Sequence, residues 1–200
     1  MGHAVHDLGP GLAIDLAGDV GPPQILALTG ADREAVQALL RRAAGEFAAA
    51  GCRVIGVVEE IEADGAQVML RDLANGAAHP LTQDLGPGSA GCSLDPAGLA
   101  AACGDVEAAI AAVLADGAAP RATVVILSKF GRQEAEGRGL THAFHAAVAA
   151  DLPILTSVSP TVTDAWADFA GELAAYAPVA PDAVSGWWRA MLERSAASSA

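Results

Sequence analysis

Short apolar runs alternate with longer segments of helical spacing along most of the chain. Four runs are apolar at nearly every position: 24–29, 52–58, 122–127 and 153–158. Such runs are typical of strands that are buried on both faces of a parallel sheet. Between them, apolar residues recur every three to four positions, as from Ala35 to Phe47. The alternation predicts an α/β fold: a three-layer domain with a mainly parallel sheet, right-handed crossovers and helices on both faces.

Local residue types mark where two of the predicted helices begin and where the first one ends. Asp32 is a residue type that caps a helix N-terminus, and Gly51 is the type that commonly follows a helix C-terminus. Asp95 followed by Pro96 predicts the start of another helix, because proline is tolerated in the first turn. These signals place the helices between the apolar runs.

The middle of the chain predicts a β-hairpin excursion from the parallel sheet. Two short strand-like runs, 67–73 and 77–84, are separated by Asn75-Gly76. An Asn-Gly pair between two such runs is a strong hairpin signal, because both residues accept positive φ.

The whole pattern indicates a single α/β domain with flanking segments. Residues 1–23 are rich in Gly, Pro and Asp, and we expect a flexible lead-in there. Residues 24–194 form the domain, and residues 195–200 are expected to be a frayed tail. A chain of 200 residues is long enough to bury one full-sized core.

The turn after the first run lies where a nucleotide-binding P-loop would be found. That loop has the pattern GxxxxGK[ST], in which backbone amides and the lysine bind phosphate. Counted from Gly30, the required Gly, Lys and Ser or Thr positions hold Ala35, Val36 and Gln37. Asp32 and Glu34 add negative charge at the helix N-terminus. We therefore interpret the layout as P-loop-NTPase-like with a degenerate Walker A, and predict no ordinary ATP or GTP hydrolysis.

The strongest candidate site is the loop 129–139, which follows the run 122–127. Lys129 is the only lysine in the chain, and Arg132 and Arg138 lie close to it in sequence. Ligands of open α/β sheets bind beyond the carboxyl ends of strands, and lysine with arginine suits an oxyanion. The predicted ligand-binding residues are Lys129, Gly131, Arg132, Glu134, Glu136, Gly137, Arg138 and Gly139. The alternative is a solvated charged loop that is stabilised by its own ion pairs.

A second Gly-rich loop, 86–93, is predicted to face the first. Successive amides of such a loop can surround an anion, and its serines add neutral donors. The residues assigned to ligand binding are Gly88, Ser89, Gly91, Cys92 and Ser93. An ordinary connecting loop remains the alternative.

Neither a metal site nor a catalytic group is assigned from the sequence. The three cysteines form no CxxC pair, which excludes a zinc ribbon or a thioredoxin-type motif. His142 and His145 lie one turn apart without a nearby cysteine, so the metal question stays open.

The charge and composition limit the classes of partner. The formal net charge is −13, so we expect no nucleic-acid partner. We find no apolar run of the length that crosses a bilayer and no signal-peptide pattern at 1–10, and so predict a cytoplasmic protein. Aromatic residues commonly anchor protein interfaces, so Trp187 or Trp188 is a candidate anchor of a homodimer interface.

Several motifs together resemble an uncharacterised bacterial domain family. They are Arg71-Asp72-Leu73, Gln83-Asp84-Leu85-Gly86, Lys129-Phe130-Gly131-Arg132 and Pro153-Ile154-Leu155-Thr156, within residues 24–175. Genes of that family commonly lie beside molybdenum-uptake genes, which implies a molybdenum-related role. The family is more distantly similar to small P-loop nucleoside-triphosphatases of the thermophile type. Where those enzymes have an acidic strand end, this chain has Ser128 and Lys129.

The residues and the resemblance together predict an oxyanion-binding accessory protein of molybdenum uptake or homeostasis, with molybdate as the leading ligand. One alternative is a divergent nucleotide-binding protein or nucleoside-triphosphatase that binds ATP or GTP with Mg²⁺ through the 129–139 loop. Another is an interaction or regulatory protein without a ligand, whose partner is a second copy or a molybdenum-pathway protein.

Overall fold

A computed structural model describes residues 21–62, 67–83, 94–116 and 122–198. Within these residues, seven strands form one sheet in the order β4-β3-β2-β5-β6-β1-β7. The strands are β1 (Ile25–Thr29), β2 (Arg53–Ile61), β3 (Val68–Asp72), β4 (Ala78–Pro80), β5 (Thr123–Leu127), β6 (Ile154–Ser157) and β7 (Ala174–Pro178). The predicted flexible lead-in lies outside the described residues except for 21–23.

In the same described ranges, six α-helices connect and flank the strands. They are α1 (Arg33–Ala49), α2 (Pro96–Ala115), α3 (Arg132–Ala135), α4 (Thr141–Ala149), α5 (Thr163–Ala170) and α6 (Pro181–Ser198), with short 3₁₀ turns at Pro160–Val162 and Gly171–Leu173. The side chain of Asp32 accepts a hydrogen bond from the amide of Ala35, and that of Asp95 accepts from Ala97 and Gly98. Both predicted N-caps are therefore confirmed. The last helix runs to Ser198 and includes four residues of the expected frayed tail.

The sheet is mixed but mostly parallel, as the apolar runs predicted. The pairs from β2 through β5, β6 and β1 to β7 are parallel, whereas β3 is antiparallel to β2 and β4 is antiparallel to β3. The predicted hairpin is confirmed and extends the sheet at the β2 edge. Its turn is held by the Asp72 carboxylate, which accepts from the amides of Ala74 and Asn75, and by Gly76 at φ +76°.

Two apolar cores lie on the two faces of the sheet and confirm the three-layer arrangement. Helices α2, α4 and α5 pack on one face, and α1 and α6 pack on the other. Successive residues of β5 serve opposite cores: Val125 and Leu127 face the first, Val124 and Ile126 the second, all fully buried. This double coverage explains why the run 122–127 is apolar at nearly every position.

Trp187 and Trp188 belong to α6, and their side chains lie in the core on that face of the sheet. The indole of Trp187 donates to the carbonyl of Pro23 at 2.8 Å. Both side chains are buried within their own chain, which argues against either of them as the anchor of a dimer interface. A homodimer formed through another surface stays a prediction.

In the described part of the chain, α2 is the one helix that is long and apolar enough, by length and composition alone, to cross a membrane. In the fold its buried face, which includes Leu99, Val106 and Ile110, packs against the sheet. The sequence predicted a helix from Pro96, but no segment of membrane-spanning length was expected there.

β7 was not predicted. Its sequence, Ala-Ala-Tyr-Ala-Pro, contains residue types that strands generally disfavour, and it carries no apolar alternation. It forms because β1 offers an unpaired parallel edge, against which Ala174–Pro178 pair residue by residue.

The strand order defines where a crevice opens. From β1 the chain crosses by α1 over one face to β2, whereas from β6 it crosses by α5 over the other face to β7. The connections thus diverge between β1 and β6. In open α/β sheets, ligands bind outside the carboxyl ends of the strands at such a point.

Candidate functional site

A buried carboxylate lies at the carboxyl edge of the sheet and pairs with two cations. β2 and β5 share their last paired residues at Val57 and Leu127, and Glu59 and Lys129 lie two residues beyond. The Lys129 ammonium is 3.4 Å from Glu59 Oε1, and Arg33 Nε donates to Oε2. We call Arg33, Glu59 and Lys129 the edge cluster.

Burial differs sharply within the edge cluster. The Glu59 side chain is 3% exposed, whereas those of Lys129 and Arg33 are 45% and 51% exposed. Within the described residues, Glu59 is the ion-pair partner of both cations. The two cations therefore present charge to solvent while the carboxylate beneath them restricts their positions.

The backbone around the edge cluster is held by Gln37, which is itself buried. Its side-chain amide donates to the carbonyl of Ser128 at 3.0 Å, and its oxygen accepts from the amide of Glu59 at 2.8 Å. The hydroxyl of Ser157 donates to the same Ser128 carbonyl. The Gln37 side chain and the Ser128 carbonyl thus connect the ends of β2, β5 and β6.

The turn after β1 departs from a phosphate-binding loop in its local geometry as well as in its residues. Gly30 has φ +84°, but the first turn of α1 is capped by its own Asp32, whose carboxylate is 2.8 Å from the amide of Ala35. Val36 packs into the core beside α6. An acid therefore already occupies one of the amides with which a helix N-terminus would bind an anion.

Glu134 of the 129–139 loop has a structural role that the sequence did not indicate. It is buried, and its two oxygens accept from the amides of Gly131 and Leu140, each at 2.9 Å. A Cβ atom at Gly139 would lie 2.1 Å from Glu134 Oε1, so the glycine leaves room for this carboxylate. Its assignment to ligand binding stays a prediction.

Arg132, Glu136 and Arg138 form a separate group on the outside of the loop, which we call the surface cluster. Glu136 accepts from Arg132 Nε at 2.8 Å and from a terminal nitrogen of Arg138. The hydrogen bond from Arg132, followed by the charge of Arg138, holds the pKa of Glu136 below its usual range against the opposing effect of desolvation. The three predicted cations thus divide into two groups: Lys129 pairs with Glu59, and the two arginines share Glu136.

A groove of about 710 Å³ borders the other side of the loop. Its wall on α2 includes Leu99, Cys103 and Glu107, and the opposite wall includes Arg138 of the loop and His142 of α4. Burial raises the pKa of the Cys103 thiol. Gly137 and Gly139 also line this groove.

The second predicted loop lies outside the described residues, so Gly88, Ser89, Gly91, Cys92 and Ser93 remain predicted ligand-binding residues. The structure describes the base of that segment, where Gln83 donates to the carbonyl of Leu94 at 2.8 Å. Across the described ranges, no group of three or more His, Cys, Asp or Glu side chains is arranged to hold a metal ion.

The sequence analysis did not identify Arg33 or Glu59, and it counted Gln37 only as a mismatch to a P-loop. One signal was present: the buried run of β2 ends in Glu59-Glu60, an acidic strand end at the ligand-binding edge. The partners of Glu59 come from α1 and from the residue after β5. Local sequence spacing therefore gave no indication of the pairing.

Most of the chain matches the model of one protein family. Residues 25–187 match the family described as protein of unknown function, DUF2478. Because this match covers most of the chain, the chain belongs to the DUF2478 family.

One relative and one solved structure extend the comparison. The chain is 32% identical over 182 residues to the molybdenum import ATP-binding protein ModC 2 of Bradyrhizobium diazoefficiens. The match covers 89% of this chain but only 19% of that protein, so the chain spans about a fifth of the relative's length. The crystal structure of THEP1 from Aquifex aeolicus is similar over 79% of this chain and 89% of that one, with 14% identity and a TM-score of 0.46.

Proposed function

We propose that this member of the DUF2478 family binds a small oxyanion at the edge cluster, with molybdate as the leading ligand. The observation that carries the proposal is the pair of half-exposed cations, Arg33 and Lys129, held over the buried Glu59 at the carboxyl edge. Arginine and lysine are the side chains best suited to a tetrahedral oxyanion, one as a forked donor and the other as a point charge.

Glu59 lowers the cost of binding in this proposal. Long cationic side chains lose rotamer freedom when they bind a ligand, and this loss reduces affinity. Here the ion pairs with Glu59 already restrict Arg33 and Lys129. Arg33 uses Nε for this contact, and its two terminal nitrogens are available in the geometry of the edge cluster to donate to an anion.

The charge of the edge cluster favours an anion of low charge. Arg33 and Lys129 exceed Glu59 by one positive charge, and the exposed Asp32 and Glu34 lie on the first turn of the same helix. A polyphosphate that approaches this turn is opposed by those acids. A single tetrahedral oxyanion needs only the two cations.

The molybdenum assignment is supported by the relative and by the sequence resemblance. The relative is named a molybdenum import ATP-binding protein, although the aligned region is 19% of that protein. The motifs described above also resemble a family whose genes lie near molybdenum-uptake genes. We therefore propose that this chain acts as a cytoplasmic accessory protein of that process.

Nucleotide binding, with or without hydrolysis, is the second candidate. The crevice between β1 and β6 favours it because nucleotides bind at such divergence points, and the relative is named an ATP-binding protein. In this alternative the phosphates lie near Lys129 and Arg33, and Mg²⁺ accompanies them. The self-capped N-terminus of α1 argues for the simpler anion.

Isothermal titration distinguishes these candidates. Wild type is titrated with molybdate, sulfate, phosphate and ATP with Mg²⁺, and we expect molybdate to bind most tightly. Lys129→Met and Arg33→Met should each weaken molybdate binding roughly tenfold to a hundredfold, because each removes a charge-assisted hydrogen bond. Arg42→Met is the matched control, since Arg42 also lies on α1 but pairs with Glu46 on the exposed surface.

Three results would change the proposal. If no oxyanion binds wild type below about millimolar concentration, a range that corresponds to about 4 kcal/mol of binding free energy, oxyanion binding is wrong. Binding of ATP with Mg²⁺ without binding of molybdate favours the second candidate, and a phosphate-release assay then tests for turnover. If Arg132→Met weakens binding while Lys129→Met does not, the ligand binds at the surface cluster.

A further inference from the structure

Gln37 connects β2 and β5 beyond the point where their backbones stop pairing. The last paired residues are Val57 and Leu127, after which β2 continues along β3. Between the two chain segments, the Gln37 amide takes the place of a peptide unit. It accepts from the Glu59 amide at 2.8 Å and donates to the Ser128 carbonyl at 3.0 Å.

The two backbone groups bound by Gln37 belong to the edge cluster or adjoin it. Glu59 supplies the buried carboxylate, and Ser128 precedes Lys129, whose ammonium reaches that carboxylate. Arg33 lies four residues before Gln37 on α1, so the two side chains share one face of the helix. A single helix face therefore contacts Glu59 twice, at its backbone through Gln37 and at its side chain through Arg33.

We propose that Gln37 is a positioning residue for the oxyanion site, which sets the distance between the Lys129 ammonium and the Glu59 carboxylate. The expected effect of Gln37 on ligand affinity rests on the function proposed above. The expected effect of Gln37 on the position of Lys129 does not. Without Gln37, the Glu59 amide and the Ser128 carbonyl lose a buried partner, and the ends of β2 and β5 are free to separate. Lys129 is then paired with Glu59 for less of the time, and its ammonium is no longer held on the carboxylate that also binds the Arg33 guanidinium.

The chain supplies a matched control for a buried glutamine. Gln24 is buried to a similar extent, and its side-chain amide donates to the carbonyl of Leu152 at 3.1 Å. It precedes β1 and therefore lies at the amino edge of the sheet, opposite to the edge cluster. Gln24→Met and Gln37→Met both remove a buried side-chain amide, but only the second acts near Lys129.

Because Lys129 is the only lysine, selective ¹³C and ¹⁵N lysine labelling gives a single side-chain signal. Its chemical shift at fixed pH is measured in the ligand-free chain, and Glu59→Gln supplies the shift of the unpaired ammonium. We expect Gln37→Met to move the signal most of the way to that reference, and Gln24→Met to leave it at the wild-type position. If Gln37→Met does not fold, Gln37→Asn, which is too short to reach both backbone groups, serves in its place.

The same variants are then titrated with molybdate. We expect Gln37→Met or Gln37→Asn to weaken binding at least tenfold, which corresponds to about 1.4 kcal/mol, and Gln24→Met to change it less than twofold. A lysine signal that stays at the wild-type position in the Gln37 variants would overturn the positioning role, even if molybdate binds. A moved signal with unchanged affinity would overturn the link to the ligand. Absence of molybdate binding in wild type would refute the proposed function alone, since the lysine signal still tests Gln37.

Discussion

Two glutamates of this chain each pair with two cations, but in different surroundings. Glu59 is buried at the sheet edge, and its partners come from the start of α1 and from the residue after β5. Glu136 is 35% exposed, and its partners, Arg132 and Arg138, lie within four residues of it. The edge cluster is therefore a product of the tertiary fold, whereas the surface cluster is a product of local sequence.

The difference in burial decides how much the ion pairs of each cluster contribute to the stability of the fold. Ion pairs in water are weak because solvent screens them and because long side chains lose entropy. A buried carboxylate is different, since removal of its partners leaves a charge that water cannot reach. The two clusters thus resemble each other in composition but differ in energy, and this difference supports the edge cluster as the proposed ligand site.

The largest expected effect comes from removal of both cations from each cluster in turn. Arg33→Met with Lys129→Met leaves Glu59 buried without an ion-pair partner among the described residues, and should lower the free energy of unfolding by about 3–5 kcal/mol. Arg132→Met with Arg138→Met should lower it far less, because Glu136 remains solvated. Urea unfolding at pH 7 measures both. Equal losses in the two double variants would contradict the distinction between the clusters.

A smaller effect on stability is expected from substitution of two glycines of the 129–139 loop. Gly137 and Gly139 both have positive φ, at 73° and 62°, but only a Cβ at Gly139 would collide with Glu134. Gly137→Ala should cost about 1–2 kcal/mol for its backbone conformation. Gly139→Ala should cost about 1–3 kcal/mol more, because the buried carboxylate must move. Thermal unfolding of the two variants checks this order, and a Gly139 variant as stable as the Gly137 variant would show that Glu134 does not restrain the loop.

The smallest effect is a pH dependence of the surface cluster. The folded-state pKa of Glu136 is depressed below its ordinary value of 4.5, chiefly by the hydrogen bond from Arg132. Its contribution to stability is therefore present above that value and is lost as the pH falls through the folded-state pKa. Glu136→Gln should be less stable than wild type at pH 7 and equally stable once the pH is well below 4.5.

An NMR titration of the Glu136 carboxyl carbon gives the direct measurement of this pKa. Arg132→Met should return its midpoint toward the ordinary value, because Arg132 is the largest cause of the shift. A midpoint that is unchanged by this substitution would mean that the surface cluster is not ordered in solution.

Much of the fold follows from features that lie close together in the sequence. Asp32 and Asp95 cap their helices by bonds to amides two or three residues away, so the residue type and its place before an apolar pattern were sufficient. The turn at Asn75-Gly76 and the doubly buried β5 were predicted for similar reasons. The candidate loop after β5 was located in the same way. The sequence did not predict that Lys129 would lie in a different cluster from Arg132 and Arg138.

The sequence by itself determined the α/β alternation, the capped helices, the hairpin and the position of a charged loop at a strand end, because each depends on neighbours a few residues apart. Only the tertiary structure decided the partners. β7 exists because β1 has an open edge, Glu59 is paired because three segments meet there, and Gln37 spans β2 and β5 because α1 crosses that face of the sheet. The physical reason is that a buried charge or amide must be satisfied by whatever group the fold brings within about 3 Å, and that group need not be near it in sequence.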